Sequence, residues 1–195
     1  MDEHDLDPDP LRTFERWFEE AGAAVAVPEA MALATATPDG RPSARMVLLK
    51  GADERGFTFF SGYESRKGGE LAANPRAALL FHWAPLGRQV RVEGAVGRIG
   101  RDESEAYFRS RPVGSRLAAA ASPQSRPLAD RAELERLYAE AKERFGEDVP
   151  LPEGWGGFRL EPDAYEFWQH GDDRLHDRIR YERSGAGWSR TRLAP

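Results

Sequence analysis

The 195-residue chain contains no cysteine. Disulfides, thiolate metal sites, iron–sulfur clusters and a cysteine nucleophile are thereby excluded. Histidine is scarce. Its four occurrences, His4, His82, His170 and His176, match no zinc-binding spacing, so no metal site is expected. An excess of basic charge is also missing: 28 Lys and Arg against 33 Asp and Glu leave a formal charge of −5. That balance argues against general nucleic-acid binding. No apolar run approaches membrane-spanning length. The opening residues MDEHDLDPDP are acidic and polar, unlike a signal peptide, so a cytoplasmic protein is expected. Two catalytic signatures are absent as well. There is no Gly-x-Ser-x-Gly elbow, and the glycines at 154, 156 and 157 lack the Lys-Ser/Thr pair of a phosphate loop.

What is present reads as one domain over residues 9–195, preceded by an acidic arm, residues 1–8, expected to be disordered. Asp9-Pro10 is a strong helix start, and Leu11, Phe14, Trp17, Phe18 and Ala21 follow at helical spacing. Strands are expected over 30–37, 45–50 and 57–61, joined by turns at Pro38-Asp39-Gly40 and Asp53-Glu54-Arg55-Gly56. Ser65 is placed to cap a short helix that Asn74-Pro75 ends. Further strands are expected over 77–83 and 89–99, then a helix capped by Asp102. A small helix follows near Ser115, and the longest runs from Asp130 to about Phe145. The chain closes with strands from Trp155 onward and a hairpin at 184–187. Six or more antiparallel strands with a few helices predict a mainly β (α+β) fold, a small barrel with peripheral helices.

The stretch Glu166–Arg178 stands out chemically. It opens as a strand, passes through a turn at Gly171-Asp172-Asp173, and beyond it an extended segment places Arg174, His176 and Arg178 on one face beside Trp168, a surface suited to a flat anionic ligand. Polar and basic residues recur at other strand ends and turns: Arg45, Lys50, Arg66, Lys67, Gln89, Gln124 and Ser125. Ser65-Arg66-Lys67-Gly68 at a helix start can receive a phosphate. With no triad and no metal set, this pattern suits an organic cofactor that supplies the chemistry.

Seven segments, taken together and in order, resemble the pyridoxine (pyridoxamine) 5′-phosphate oxidase family. They are Arg45–Lys50 (RMVLLK), Ser65–Gly68 (SRKG), Arg88–Val90 (RQV), Tyr107–Pro112 (YFRSRP), Ser122–Ser125 (SPQS), Trp155–Gly157 (WGG), and Glu166–Gln169 (EFWQ) with Arg174–Arg178 (RLHDR). The resemblance implies an antiparallel six-stranded split β-barrel and a homodimer with FMN at the subunit interface. It implies oxidation of pyridoxamine or pyridoxine 5′-phosphate to pyridoxal 5′-phosphate, with O2 as acceptor and H2O2 as product. Carried over by motif, the cofactor residues would be Arg45, Met46, Val47, Leu48, Leu49, Lys50, Phe60, Ser61, Arg66, Lys67, Gln89, Gln124, Ser125, Trp168 and Arg178, some of them from the partner chain. Lys50, Tyr107, Arg111 and Ser115 would meet the substrate phosphate. Arg174 and His176 would cover the pyridine ring as catalytic residues. The chain departs from the family pattern in a short arm, in Phe60 where Tyr is usual, and in Arg116-Leu117-Ala118-Ala119-Ala120 where Gln-Ile-Gly-Ala-Trp is common. Two alternatives share the barrel: a flavin oxidase of the phenazine type, and a non-enzymatic flavin- or haem-binding protein.

Overall fold

The computed structural model describes Met1, Glu3 and residues 6–195; Asp2, His4 and Asp5 lie outside the described residues. Among the described residues nine strands form one antiparallel sheet: β1 Ala30–Ala36, β2 Pro42–Leu48, β3 Gly51–Asp53, β4 Gly56–Gly62, β5 Arg76–Trp83, β6 Arg88–Arg98, β7 Trp155–Gln169, β8 Asp177–Ser184 and β9 Gly187–Arg192. Five α-helices surround it: α1 Pro10–Ala24, α2 Arg66–Ala73, α3 Arg101–Ser110, α4 Val113–Ala121 and α5 Arg131–Phe145.

The sheet curls into a barrel because one strand changes partners. β2 pairs with β1, then Leu49 and Lys50 carry the chain into β3, which pairs with β4. The Lys50 N–H donates to Thr58 O at 2.8 Å, so the switch costs no backbone hydrogen bond there. The ring is β1–β5–β6–β7–β4–β3/β2, six strands around, as expected. β7 is where it splits. Residues 155–160 pair with β4, and residues 164–169 pair with β8, which carries β9 outward. Pro162 lies between, opposite Gly94, at the register shift of the β6–β7 ladder. Proline has no N–H to give a ladder, and Gly94 leaves room: a Cβ there would lie 1.9 Å from Glu161 O.

Inward residues of the alternating strands fill the barrel: Leu33, Phe57, Phe59, Leu79, Phe81, Val90, Val92, Leu160 and Phe167 are buried. α1 covers this interior. Asp9 caps it by accepting from the Leu11 N–H at 3.0 Å, and Phe14 meets Phe57 edge-on with ring centroids 4.8 Å apart. A second cluster, Phe108, Leu117, Ala141, Val149 and Trp155, joins α3, α4 and α5 to the barrel.

Four expectations change. The strand expected over 45–50 is β2, 42–48: the turn at 38–40 starts pairing at once, with Ala36 opposite Pro42, and at the far end Leu49 keeps one backbone bond to Glu29 O before Lys50 turns to Thr58. The helix expected to be capped by Asp102 is capped by Gly100, which leaves Asp102 and Glu103 in its first turn, where carboxylates favour the helix dipole. The arm expected to be disordered over 1–8 is folded where it is described. Leu6 is buried in the main core, and the Tyr181 hydroxyl donates to Asp7 O at 2.8 Å; burial of one leucine and a hydrogen bond offset the ordering of a few residues. The fourth change falls in the site. Arg174 and His176 are not in a strand. Asp172–Arg174 form a single 3-10 turn, and β8 begins only at Asp177. Asp173 and Arg174 sit at φ 54 and 64, left-handed backbone that breaks the alternation an extended segment would need.

Candidate active site

The barrel's strand switch and two α-helix-bearing connections, β4–β5 and β6–β7, meet at one open cleft of about 590 Å³. β2 contributes Ser43, Arg45, Met46, Val47 and Leu48, and Lys50 follows at the switch. β4 gives Phe60 and Ser61, the start of α2 gives Arg66 and Lys67, and α3 gives Tyr107 with Arg111 just beyond it. The loop before α5 brings Gln124 and Ser125, and β7 brings Trp155.

Its electrostatics are lopsided. Lys67 is 8% exposed, and among the described residues its ammonium reaches only neutral acceptors, Ser65 Oγ and Gln124 Oε1, both at 3.2 Å. Burial, with the Arg45 charge added, lowers the Lys67 pKa to about 8. The same Gln124 oxygen accepts from Ser61 Oγ at 2.9 Å and from the Gly62 N–H at 3.1 Å, which fixes the loop on β4. Arg111 is equally poorly served. Its Nη1 is buried without a hydrogen-bond partner, and its guanidinium stands 4.8 Å from the Trp155 ring centroid. Burial lowers its pKa, with Tyr107 opposing. Tyr107, Phe60 and Trp155 form an aromatic stack, with centroids 3.8 Å and 5.5 Å apart along it. Burial raises the Tyr107 phenol, while Arg111 pulls it down.

One carboxylate lies behind the cations. Glu70 on α2 accepts from Arg66 Nε at 2.9 Å and lies 3.3 Å from Arg45 Nη2. Burial would raise its pKa, but hydrogen bonds from Ser43, Thr35 and Arg66 outweigh that and bring it to about 2.

Other anticipated residues lie elsewhere. Gln89, Trp168 and Arg178 line a separate hollow of about 250 Å³ on the outer face of β6, β7 and β8, with Arg91 and Glu166. His176 joins this second patch, its ring 4.7 Å from that of Trp168 and its Nδ1 accepting from the Gly171 N–H at 3.2 Å. Arg174 is exposed on the turn beside it. Ser115 lines a cavity of about 570 Å³ next to the cleft, which it shares with Arg111 and Gln124. The Leu49 side chain is buried in the barrel core and does not line the cleft.

Ser43 and Ala44 in the cleft wall, and Glu70 behind it, were not singled out from sequence, and Trp155 was not expected to line the cleft. Glu70 had a signal, since it follows Arg66 at i+4 on one helix face. Trp155 reads from sequence as packing, and its second role appears only once α3 is folded against it. Among the described residues no cluster of His, Asp and Glu could hold a metal ion, and no helix is long and apolar enough to cross a membrane.

Fold and cleft together define a split-barrel protein with a cation-lined cleft. A structure described as a pyridoxamine 5′-phosphate oxidase-related, FMN-binding protein from Nostoc punctiforme shares the fold, with a TM-score of 0.76 at 18% identity over 95% of this chain and 97% of that one. Residues 18–145 match the family described as pyridoxamine 5′-phosphate oxidase, and residues 155–195 match the pyridoxine 5′-phosphate oxidase C-terminal dimerisation region. The chain belongs to the pyridoxamine 5′-phosphate oxidase family. Among its relatives is a pyridoxine/pyridoxamine 5′-phosphate oxidase of Rubrobacter xylanophilus, 60% identical over 99% of this chain and 90% of that protein. A second, from Cupriavidus taiwanensis, is 58% identical over 100% of this chain and 93% of that protein. The structure of PhzG from Burkholderia lata 383, in complex with tetrahydrophenazine-1-carboxylic acid, superposes with a TM-score of 0.93 at 38% identity, covering 98% of this chain and 95% of that one.

Proposed function

We propose that this chain is an FMN-dependent oxidase that converts pyridoxamine or pyridoxine 5′-phosphate to pyridoxal 5′-phosphate, with O2 as acceptor and H2O2 as product, and ammonia released from the amine. The observation that carries the reading is the set of cleft cations left without an anion: Lys67 among neutral acceptors, and Arg111 with a buried Nη1 that bonds to nothing. A buried polar group without a partner is costly, so such groups mark where a ligand completes the structure.

Arg66 and Lys67 would hold the flavin phosphate, and Arg45 to Lys50, Phe60, Ser61, Gln124 and Ser125 the rest of the cofactor. A bound flavin supplies a hydride acceptor for the substrate's C4′ and a route for those electrons to O2. The chain's own residues hold the substrate. Lys50, Tyr107 and Arg111 converge on the cleft and can receive its phosphate, with Ser115 in the first turn of α4 beside Arg111 in the adjoining cavity. The Tyr107–Phe60–Trp155 stack stiffens these donors, so that orientation is set before binding.

The second patch completes the site in a homodimer. Met46, Ala32 and Leu80 lie in register across the outer face of β2, β1 and β5, with Met46 64% and Leu80 37% exposed. Covering that apolar face with a second copy brings Gln89, Trp168, Arg178, Arg174 and His176 of one protomer toward the cleft of the other. The protein should purify yellow, release FMN on denaturation and run at twice 21.8 kDa. Pyridoxamine 5′-phosphate should bleach the flavin under argon, with colour restored by air. Bleaching by tetrahydrophenazine-1-carboxylic acid alone would favour the phenazine reading, and a colourless monomer would end both.

A further inference from the structure

We infer that Glu70 is a positioning residue for the phosphate end of the cleft: it grips Arg66 by Nε and so leaves the guanidinium's two terminal amino groups free for an anion. The inference rests on the flavin-phosphate reading above. Glu70 is 6% exposed and makes hydrogen bonds to three elements. Its Oε2 accepts from Thr35 Oγ1 on β1 and Ser43 Oγ on β2, both at 2.5 Å, and its Oε1 accepts from Arg66 Nε at 2.9 Å. Arg66 has no other hydrogen bond among the described residues, and its side chain is 63% exposed.

The two arginines beside Glu70 differ in what they have left to offer. Arg45 spends Nη1 on Leu33 O and Thr35 Oγ1, and Nη2 on Ser43 Oγ and Glu70. Its charge reaches the cleft, but its terminal donors are committed. Arg66 is held at one point only, so its Nη1 and Nη2 form the free fork that matches two oxygens of a phosphate. Without Glu70 that exposed side chain has no hold, and the β1–β2 hairpin loses one of its ties to α2. A carboxylate placed near an anion site weakens the anion by repulsion. Here it is turned away behind four donors, so orientation outweighs repulsion.

The test compares FMN with riboflavin, which lacks the phosphate, on flavin-free protein. Glu70→Ala should lower FMN affinity by about tenfold or more and leave riboflavin affinity within about twofold. Glu70→Gln keeps an oxygen for Arg66 Nε and should restore FMN affinity to within about threefold of wild type. In the cycle with Arg66→Ala, the double variant should lose no more FMN affinity than Arg66→Ala alone. Additive losses, an equal fall for both flavins, a glutamine variant as weak as alanine, or unchanged FMN affinity in Glu70→Ala would each overturn the inference. Should the alanine variant fail to fold, Arg66→Lys serves: lysine keeps the charge but has no Nε for Glu70 to grip, so an FMN loss of about tenfold is expected and unchanged affinity overturns the inference. The proposed function fails separately: wild-type protein that does not distinguish the two flavins removes the phosphate site itself, whereas wild-type discrimination that survives in Glu70→Ala removes only the role of Glu70.

Discussion

The cleft and the outer patch on β6–β8 are both rich in arginine, yet they treat charge in opposite ways. On the patch the cations are matched within the chain. Glu166, 5% exposed, takes Arg178 Nε at 2.8 Å and also pairs with Arg91, while Glu93 takes Arg180 at 3.1 Å. In the cleft, Glu70 serves two arginines from behind, but Lys67 and Arg111 Nη1 find no anion. On the patch Arg91, Arg178 and Arg180 each reach a carboxylate, whereas in the cleft Lys67 and Arg111 reach none among the described residues. Buried cations without counter-charge are a cost to folding that binding recovers.

The strongest way to sharpen that contrast is Lys67→Met, which keeps the stem and removes the charge. FMN affinity should fall by about one to two decades, the worth of a charge-assisted hydrogen bond of ~1.5–3 kcal/mol, with riboflavin unaffected. The flavin-free variant should melt higher than wild type at pH 7, because the penalty of a buried ammonium is gone. A variant that loses both FMN binding and stability would make Lys67 a structural residue.

Glu166→Gln should do the reverse on the patch. Arg91 and Arg178 lose their shared counter-charge, and stability should drop by about 1–2 kcal/mol, discounted for the partly exposed arginines. Denaturant melts of flavin-free protein measure it, and an unchanged midpoint would mean that the patch is not held by its own charges.

The pH dependence of FMN binding comes next. Lys67 titrates at about 8 in the folded, flavin-free chain against 10.5 unfolded. Its depressed pKa means that folding is penalised below pH 8 and relieved as pH rises toward the unfolded value. FMN binding runs the other way. A phosphate favours the ammonium, so affinity should fall by up to about tenfold per unit as pH rises above 8, while riboflavin affinity stays flat. Parallel pH profiles for the two flavins would remove Lys67 from the phosphate site. The smallest effect belongs to Trp155→Leu. Losing the stack and the arginine contact should raise KM for pyridoxamine 5′-phosphate by a few-fold to about tenfold, roughly 0.5–1.5 kcal/mol, with FMN content unchanged.

Most of the barrel was legible in the sequence because alternating strands and turn residues act locally. Asp9-Pro10 marks α1, and Ser65 caps α2, to the residue. β3 was not legible: three residues carry no periodicity, and its pairing follows from the switch at Lys50. A turn at Gly171-Asp172-Asp173 was legible, but its continuation through Arg174 was not. Two successive left-handed residues, neither of them glycine, contradict local propensity. The cleft's own residues were reached through motif, and their grouping needed the fold. Tyr107 and Arg111 come to Phe60 and Trp155 through packing across distant strands. Glu70 was legible as a partner of Arg66 but not as a partner of Thr35 and Ser43, which only the β1–β2 hairpin brings to it.

The most direct test of the account is the ratio of FMN to riboflavin affinity, measured by fluorescence quenching on wild-type, flavin-free protein at pH 7. Two or more free cationic donors on a phosphate predict a preference of about a hundredfold or more for FMN. Equal affinity for the two flavins would contradict the claim that the cleft's unmatched cations are there for an anion.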